Sequence, residues 1–495
     1  METLQRTANR GSISTATSFD IDNSCKFEKS NSETMYRQQV NGDRRTWTSS
    51  FWIKFCGGTG SGTDTHMLYH GVYGQGTRIF TSGGTDQLYI DLCSTGNERY
   101  RWITNRVFRD RSAWYHIVWR VDTTQSSLSN RMRLYVNGEQ ITDWQKEADD
   151  SDNDSSNSGN KMPQDYQTLA NYDHGGYDKM QFSYKEASIY ANMYIAEFHH
   201  CDGYSYAPTE FGESDSATGI WKPIEPSVSY GNSGCHLDFK DSSNLGNDAN
   251  GGTDFTLQNI SAADQATDTP TNNFCILNNL DQRPDTPTVM TEGATVNVQD
   301  PGSGTGSVRG TMGVSSGKWY WEFQLDLFEG AFYYLYGVSS LEKTQVRYPG
   351  QGDGGFSIGV YAQGGNAFFN GSNTAWETSG VGADGDIIGI FMDLDNETLK
   401  VQKNGTFIGN VNNDIMALTG ISANFDKTDY TGAFADGTNS TAYRTRFLVN
   451  FGGYCAYTIS SGNSDANGYG NFEYSPNDGT YDYYSLCTKN IAEYG

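Results

Sequence analysis

One local pattern limits what this chain can become. Runs of alternating bulky and polar residues recur along it, each closed by Gly, Asn, Asp or Ser. Alternation puts successive side chains on opposite faces of an extended strand, so one face can be buried and the other wetted. Thr46-Trp47-Thr48-Ser49-Ser50-Phe51-Trp52-Ile53-Lys54-Phe55 has this form, as do Gln87-Leu88-Tyr89-Ile90-Asp91-Leu92 and Trp114-Tyr115-His116-Ile117-Val118-Trp119-Arg120-Val121-Asp122. Asn137-Gly138 and Asn404-Gly405 carry the signal of a tight type I′ hairpin. With 57 Gly against 10 Pro, and 14% aromatic residues, turns are plentiful and a disordered chain is excluded. The pattern predicts an all-β fold. At 495 residues it predicts more than one domain.

In the first part of the chain, the Trp47–Lys54 region is followed by Trp114-Tyr115-His116-Ile117-Val118, Leu134-Tyr135-Val136-Asn137-Gly138 and Ile195-Ala196-Glu197-Phe198. This series resembles the laminin-G/concanavalin A-like jelly roll over residues 17–212. The resemblance implies two packed antiparallel sheets, a fold that hosts lectins, glycosidases and spacers alike. Residues 1–16 read as an N-terminal arm and 213–289 as an extended connector packed between domains. That connector resembles the segment following such jelly rolls in tail and virion-appendage proteins of bacteriophages, notably marine ones. Farther on, Gly317-Lys318-Trp319-Tyr320-Trp321-Glu322-Phe323 precedes a strand, an Asp-Asn turn, a second strand and an Asn-Gly turn between Asp386 and Gly409. This order resembles the SPRY domain, implying a second β-sandwich over 290–453. Residues 454–495 read as a β-rich segment docking on it.

Charge and cysteines narrow the partners. A net charge of −25 repels nucleic-acid phosphates and anionic membrane surfaces. No run of about 18 apolar residues and no signal peptide can be read from the sequence. The eight cysteines form no CxxC and no zinc-ligand spacing, so they read as reduced, buried thiols.

Several constellations invite a chemical reading. Asp393-Leu394-Asp395-Asn396-Glu397 approximates the carboxylate spacing of retaining β-glucanases, but it starts with Asp and lies across a predicted turn. Glu197 with Asp202, and Glu322 with Asp326, are possible acid pairs that read more simply as strand positions. His199-His200-Cys201 suggests a metal, yet neighbours in a strand face opposite ways. His116 reads as a packed strand residue. The Gly-rich stretches near 57–62 and 301–306 lack the features of phosphate loops. Asp149 to Asp154 offers oxygen ligands of the kind that hold Ca²⁺, without EF-hand spacing, and a solvated loop is the simpler expectation. Tyr-rich stretches at 332–336 and 481–484 supply amphipathic area for contacts. No catalytic residue, no metal ligand set and no cofactor is therefore expected, and the ligand-binding residues are not identified.

The expectation is a non-catalytic phage virion appendage protein: a tail fibre, tail-tip component or head-surface fibre displayed on the virion. It would contact other virion proteins and a host-surface glycan or protein, and self-associate, trimers being typical of such proteins. A purely structural role in decorating the particle, and then a glycan hydrolase, are the alternatives.

Overall fold

The computed structural model describes residues 19–56, 65–72, 75–82, 84–95, 98–150, 161–175, 178–183, 190–216, 218–282, 289–291, 295–298, 306–328, 334–342, 348–351, 357–362, 364–377, 382–409, 413–418, 429–436 and 445–495. The expected arm 1–16, the Gly-rich stretches 57–62 and 301–305, Phe332, Tyr333 and most of the acidic loop (residues 151–154) lie outside them. The chain divides into two compact units. One holds Ser14–Arg109 and Ala113–Thr271; the other holds Asp110–Ser112 and Asn272–Gly495.

The first unit is a sandwich of two eight-stranded antiparallel sheets. One sheet runs, in spatial order, Glu139–Gln140, Met132–Val136, Trp114–Asp122, Thr46–Phe55, Met193–Asp202, Ser24–Phe27 and Gln265–Ala266, with Cys235–Leu237 also paired to Met193–Asp202. The facing sheet runs Trp144–Asp150, Arg99–Val107, Gln87–Cys93, Gln75–Thr81, Thr65–Val72, Lys179–Phe182, Thr34–Gln38 and Thr256–Gln258. Alternation sorts the side chains. Trp47, Phe51, Ile53, Ile117, Trp119 and Phe198 point inward to meet Leu68, Ile79, Ile90, Trp102 and Phe182.

The outer face of the first sheet is also covered. Val118, Tyr135 and Cys201 are buried against Phe211, Tyr206, Val228 and Tyr230. Lys54, wholly buried, pairs with Asp268 at 2.7 Å. These contacts alter the expected connector. Residues 213–271 are built into the first unit, because the outer face carries apolar and charged groups that need a roof. Leu277–Gln282 instead pairs with Ser307–Gly310 of the second unit.

The second unit is likewise all-β. A seven-stranded sheet runs Leu277–Gln282, Ser307–Gly310, Tyr430–Asp436, Tyr334–Ser340, Ser357–Tyr361, Asn366–Phe369 and Ser372–Ala375. An eight-stranded sheet is centred on Lys318–Phe328, which lies between Thr445–Asn450 and Ile387–Asp393. Its core includes Trp319, Trp321, Phe323, Tyr336, Ile390 and Phe434. Both Asn-Gly hairpins form as the sequence predicts. Asn137 and Gly138 have φ of 50° and 77°, and Asn404 and Gly405 have 46° and 78°, the positive values that a type I′ turn requires.

The C-terminal residues depart from the β-rich expectation. Tyr484–Ser485 is a two-residue strand running parallel to Lys318–Phe328, and Thr488–Tyr494 is a short helix. The rest is held by side chains more than by ladders. All eight cysteines are buried thiols. Among the described residues no helix is long and apolar enough to cross a membrane.

Candidate functional site

The carboxylates singled out in the sequence are mostly occupied in holding the fold. Asp393 accepts from the backbone N–H groups of Asp395 and Asn396 and from the Asn396 amide, so the Asp393–Glu397 motif is a turn. Glu397 has φ of 56° within it. Glu322 is buried and accepts from the Tyr457 hydroxyl (2.7 Å), the Tyr320 hydroxyl (2.8 Å), the Glu473 N–H (2.6 Å), the Tyr474 N–H (3.2 Å) and the Asn450 amide (3.2 Å). Burial outweighs these donors and lifts its carboxyl above the ordinary value. Asp326 pairs with Arg446 instead of Glu322. Asp202 caps backbone N–H groups of Asp43, Asn232 and Ser233. Of the Tyr-rich stretches, Tyr336 and Tyr483 are core residues and Tyr481 is exposed.

The histidines are more informative. His199 and His200 do face opposite sides. His200 points inward, with Nδ1 against the Ser49 hydroxyl (2.9 Å) and Nε2 against the Asn171 side-chain Oδ1 (2.8 Å). Both ring nitrogens are thus satisfied, and burial drives its pKa well down. His116 lies 2.9 Å from the Ser50 hydroxyl, an arrangement that superficially suggests an activated serine. Its other nitrogen, however, receives the Trp221 indole N–H at 2.9 Å. An indole can only donate, so in the neutral ring the proton sits on Nε2 and is given to Ser50. This His cannot accept the Ser50 proton, and burial lowers its pKa to about 3.

His199 points outward and joins two groups that adjacency in sequence does not reveal. The strand Met193–Asp202 shifts register against Thr46–Phe55 between Ala196 and His199, and Glu197 there has φ of +45°. This bulge adds a residue and switches the alternation, so that Ile195 and Phe198 both face the core while Glu197 and His199, two apart, share the outer face. His236 lies opposite His199 across the ladder with Cys235–Leu237. The Glu197 Oε2 atom is 3.2 Å from His199 Nε2 and 2.9 Å from His236 Nε2. The two imidazoles stack at 4.3 Å. His199 Nδ1 lies 2.8 Å from the Tyr230 hydroxyl. Burial acts to raise the Glu197 carboxyl, but the hydrogen bonds from His199 and His236 prevail and bring it to about 2. Burial lowers His199, leaving it neutral at pH 7. Sequence reasoning missed this set because His236 comes from the presumed connector. An alternating Glu-x-His in one strand was the signal present.

No curated protein gives a significant match to this chain. Among solved structures, similarity is found to the SPRY domain of human HERC1 (18% identity, 35% of this chain and 96% of that one, TM-score 0.27). A human SPRY domain (13%, 32% and 94%, TM-score 0.25) and a native heptameric SAP-like pentraxin from Limulus polyphemus (13%, 38% and 80%, TM-score 0.26) are also similar. Residues 29–182, within the first unit, match the family model of the concanavalin A-like lectin/glucanases superfamily.

Proposed function

We propose that this chain is a non-catalytic adhesion protein of a bacteriophage virion appendage, binding glycan or protein on a host surface. The observation that carries the reading is the match of residues 29–182 to a lectin/glucanase superfamily. What favours lectin over glucanase is the use of the candidate carboxylates: Asp393, Glu322 and Asp202 each hold backbone in place. Tyr204 supplies a contact of the right kind. It is 40% exposed and stacks on Tyr206 at 5.4 Å and 10°, a rigid aromatic surface suited to a sugar face. Weak contacts of this type become firm attachment when many copies act together, which fits a self-associated, trimeric fibre on the virion surface.

The test is binding of the purified full chain to host cells and to their isolated surface glycans, with labelled antibody locating it on particles. Saturable binding, with the label on an appendage, is expected. Labelled particles without any binding would leave a decorating role, and release of reducing sugar would replace adhesion with hydrolysis.

A further inference from the structure

Glu197, His199 and His236 bring one carboxylate and two imidazoles to a common point, with one donor atom from each lying within 4.8 Å of the others. A tetrahedral zinc ion bonded at about 2.0–2.2 Å to nitrogen and oxygen separates its ligands by about 3.3 Å. The observed 3.2 Å and 2.9 Å between Oε2 and the two Nε2 atoms already approach that spacing. We propose that Glu197, His199 and His236 bind a divalent transition-metal ion of the zinc class.

Three further features fit this site. The first is the Tyr230 hydroxyl at His199 Nδ1. A hydroxyl both donates and accepts. It can therefore donate a hydrogen bond to Nδ1 when Nε2–H points at Glu197, and accept one from Nδ1–H when Nε2 binds a metal. Partners on the second nitrogen are what ligating histidines characteristically have. The second is access. The His236 side chain is 22% exposed while those of His199 and Glu197 are 2% and 6% exposed, so an ion enters past His236. The third is the backbone of Glu197. A non-glycine residue with φ of +45° is strained unless its surroundings hold it there, and the bulge it belongs to sets Glu197 and His199 together on the outer face of the sheet. The cleft beyond, where Glu197 and His199 meet Ser50, Trp52, His116 and Phe211, is too narrow for a water molecule. The ion would therefore be structural, tying Cys235–Leu237 and its roof segment to the sheet.

The experiment uses the full chain, stripped with chelator and titrated with Zn²⁺ alone, followed by calorimetry and bound-metal analysis. Co²⁺ then serves as a spectroscopic probe. One ion per chain and the intense visible absorption of four-coordinate cobalt are expected, the fourth ligand being a water on the exposed His236 side. At a hundredfold excess over Kd, zinc should raise the melting point of the first unit by about 5 °C. His236→Asn alters the most exposed ligand and Glu197→Gln keeps the shape of the carboxylate. Each should weaken binding at least tenfold, in line with loss of a ligand or its support, while His174→Ala, at an exposed histidine, should not. Because His236 is at the edge of the site, its variant is expected to fold, as circular dichroism will verify. Absence of stoichiometric binding by the wild type, or unchanged zinc affinity in folded His236→Asn and Glu197→Gln, overturns the proposal.

Discussion

Replacing Lys54 by Met tests whether the roof over the first sheet is held by a buried ion pair. Lys54 and Asp268 have side chains with no exposure, and Nζ lies 2.7 Å from Oδ2. The other Asp268 oxygen accepts the Trp114 indole N–H at 2.9 Å. Methionine fills nearly the same space but leaves the carboxylate in the interior without its cation. Removing one member of such a pair costs about 3–5 kcal/mol, because the remaining charge is desolvated and uncompensated. Relaxation is limited, since Lys54 sits between Tyr194 and Trp114 on the two flanking strands. For a unit of this size each kcal/mol lowers the melting point by about 2–4 °C, so a fall of roughly 6–20 °C is expected. Urea titration followed by tryptophan fluorescence and circular dichroism gives the free energy. The Lys54→Met/Asp268→Asn double variant removes both charges and should recover more than half of the loss. A single-variant cost below about 1 kcal/mol, or a double variant no more stable than Lys54→Met, would show that the charge is not what matters there.

The remaining predictions concern both units. Glu322→Gln places an amide against backbone and hydroxyl donors now aimed at a carboxylate; a loss of about 2–4 kcal/mol and faster proteolysis of residues 454–495 are expected. All seven histidines precede residue 237 and lie in the first unit. His70 and His116 are brought to about 3 by burial, and His199 and His200 are lowered for the same reason. Depressed values favour the fold above the unfolded pKa of about 6.5 and lose that contribution as pH falls. Between pH 7 and 5.5 His70 and His116 each cost about 1 kcal/mol, and His199 and His200 act in the same sense. Glu33, raised to about 7 by burial, works in the opposite sense by a similar amount. Melting curves at the two pH values should therefore show the first unit selectively weakened at pH 5.5. Tyr204→Ala should reduce host-glycan binding severalfold while shifting stability by less than about 0.5 kcal/mol; unchanged binding would remove Tyr204 from the contact surface.

What could be read beforehand followed from period and turn chemistry. Thr46–Phe55 shows a two-residue period because only one face meets the main core, and Asn404-Gly405 marks a turn that few other residues permit. The role of residues 213–271 was hidden. Cys235–Leu237 and Thr256–Gln258 are three residues each, too short to establish alternation, and their pairing is set by partners many positions away. Glu197 and His199 were visible as neighbours on one strand, but the bulge beneath them and the arrival of His236 are tertiary facts. The polar outer positions Thr48, Ser50 and Lys54 read as solvent-facing, whereas all three are buried.

The state of the cysteines has a consequence for where such a chain can operate. Burial pushes the thiols of Cys93, Cys235 and Cys487 to about 12 and raises those of Cys25 and Cys201 as well. Disulfide exchange proceeds through the thiolate, a species these residues scarcely form. While the fold is intact these five thiols are therefore poor partners in disulfide exchange. Burial guards them in the same way in a reducing interior and in air-saturated water.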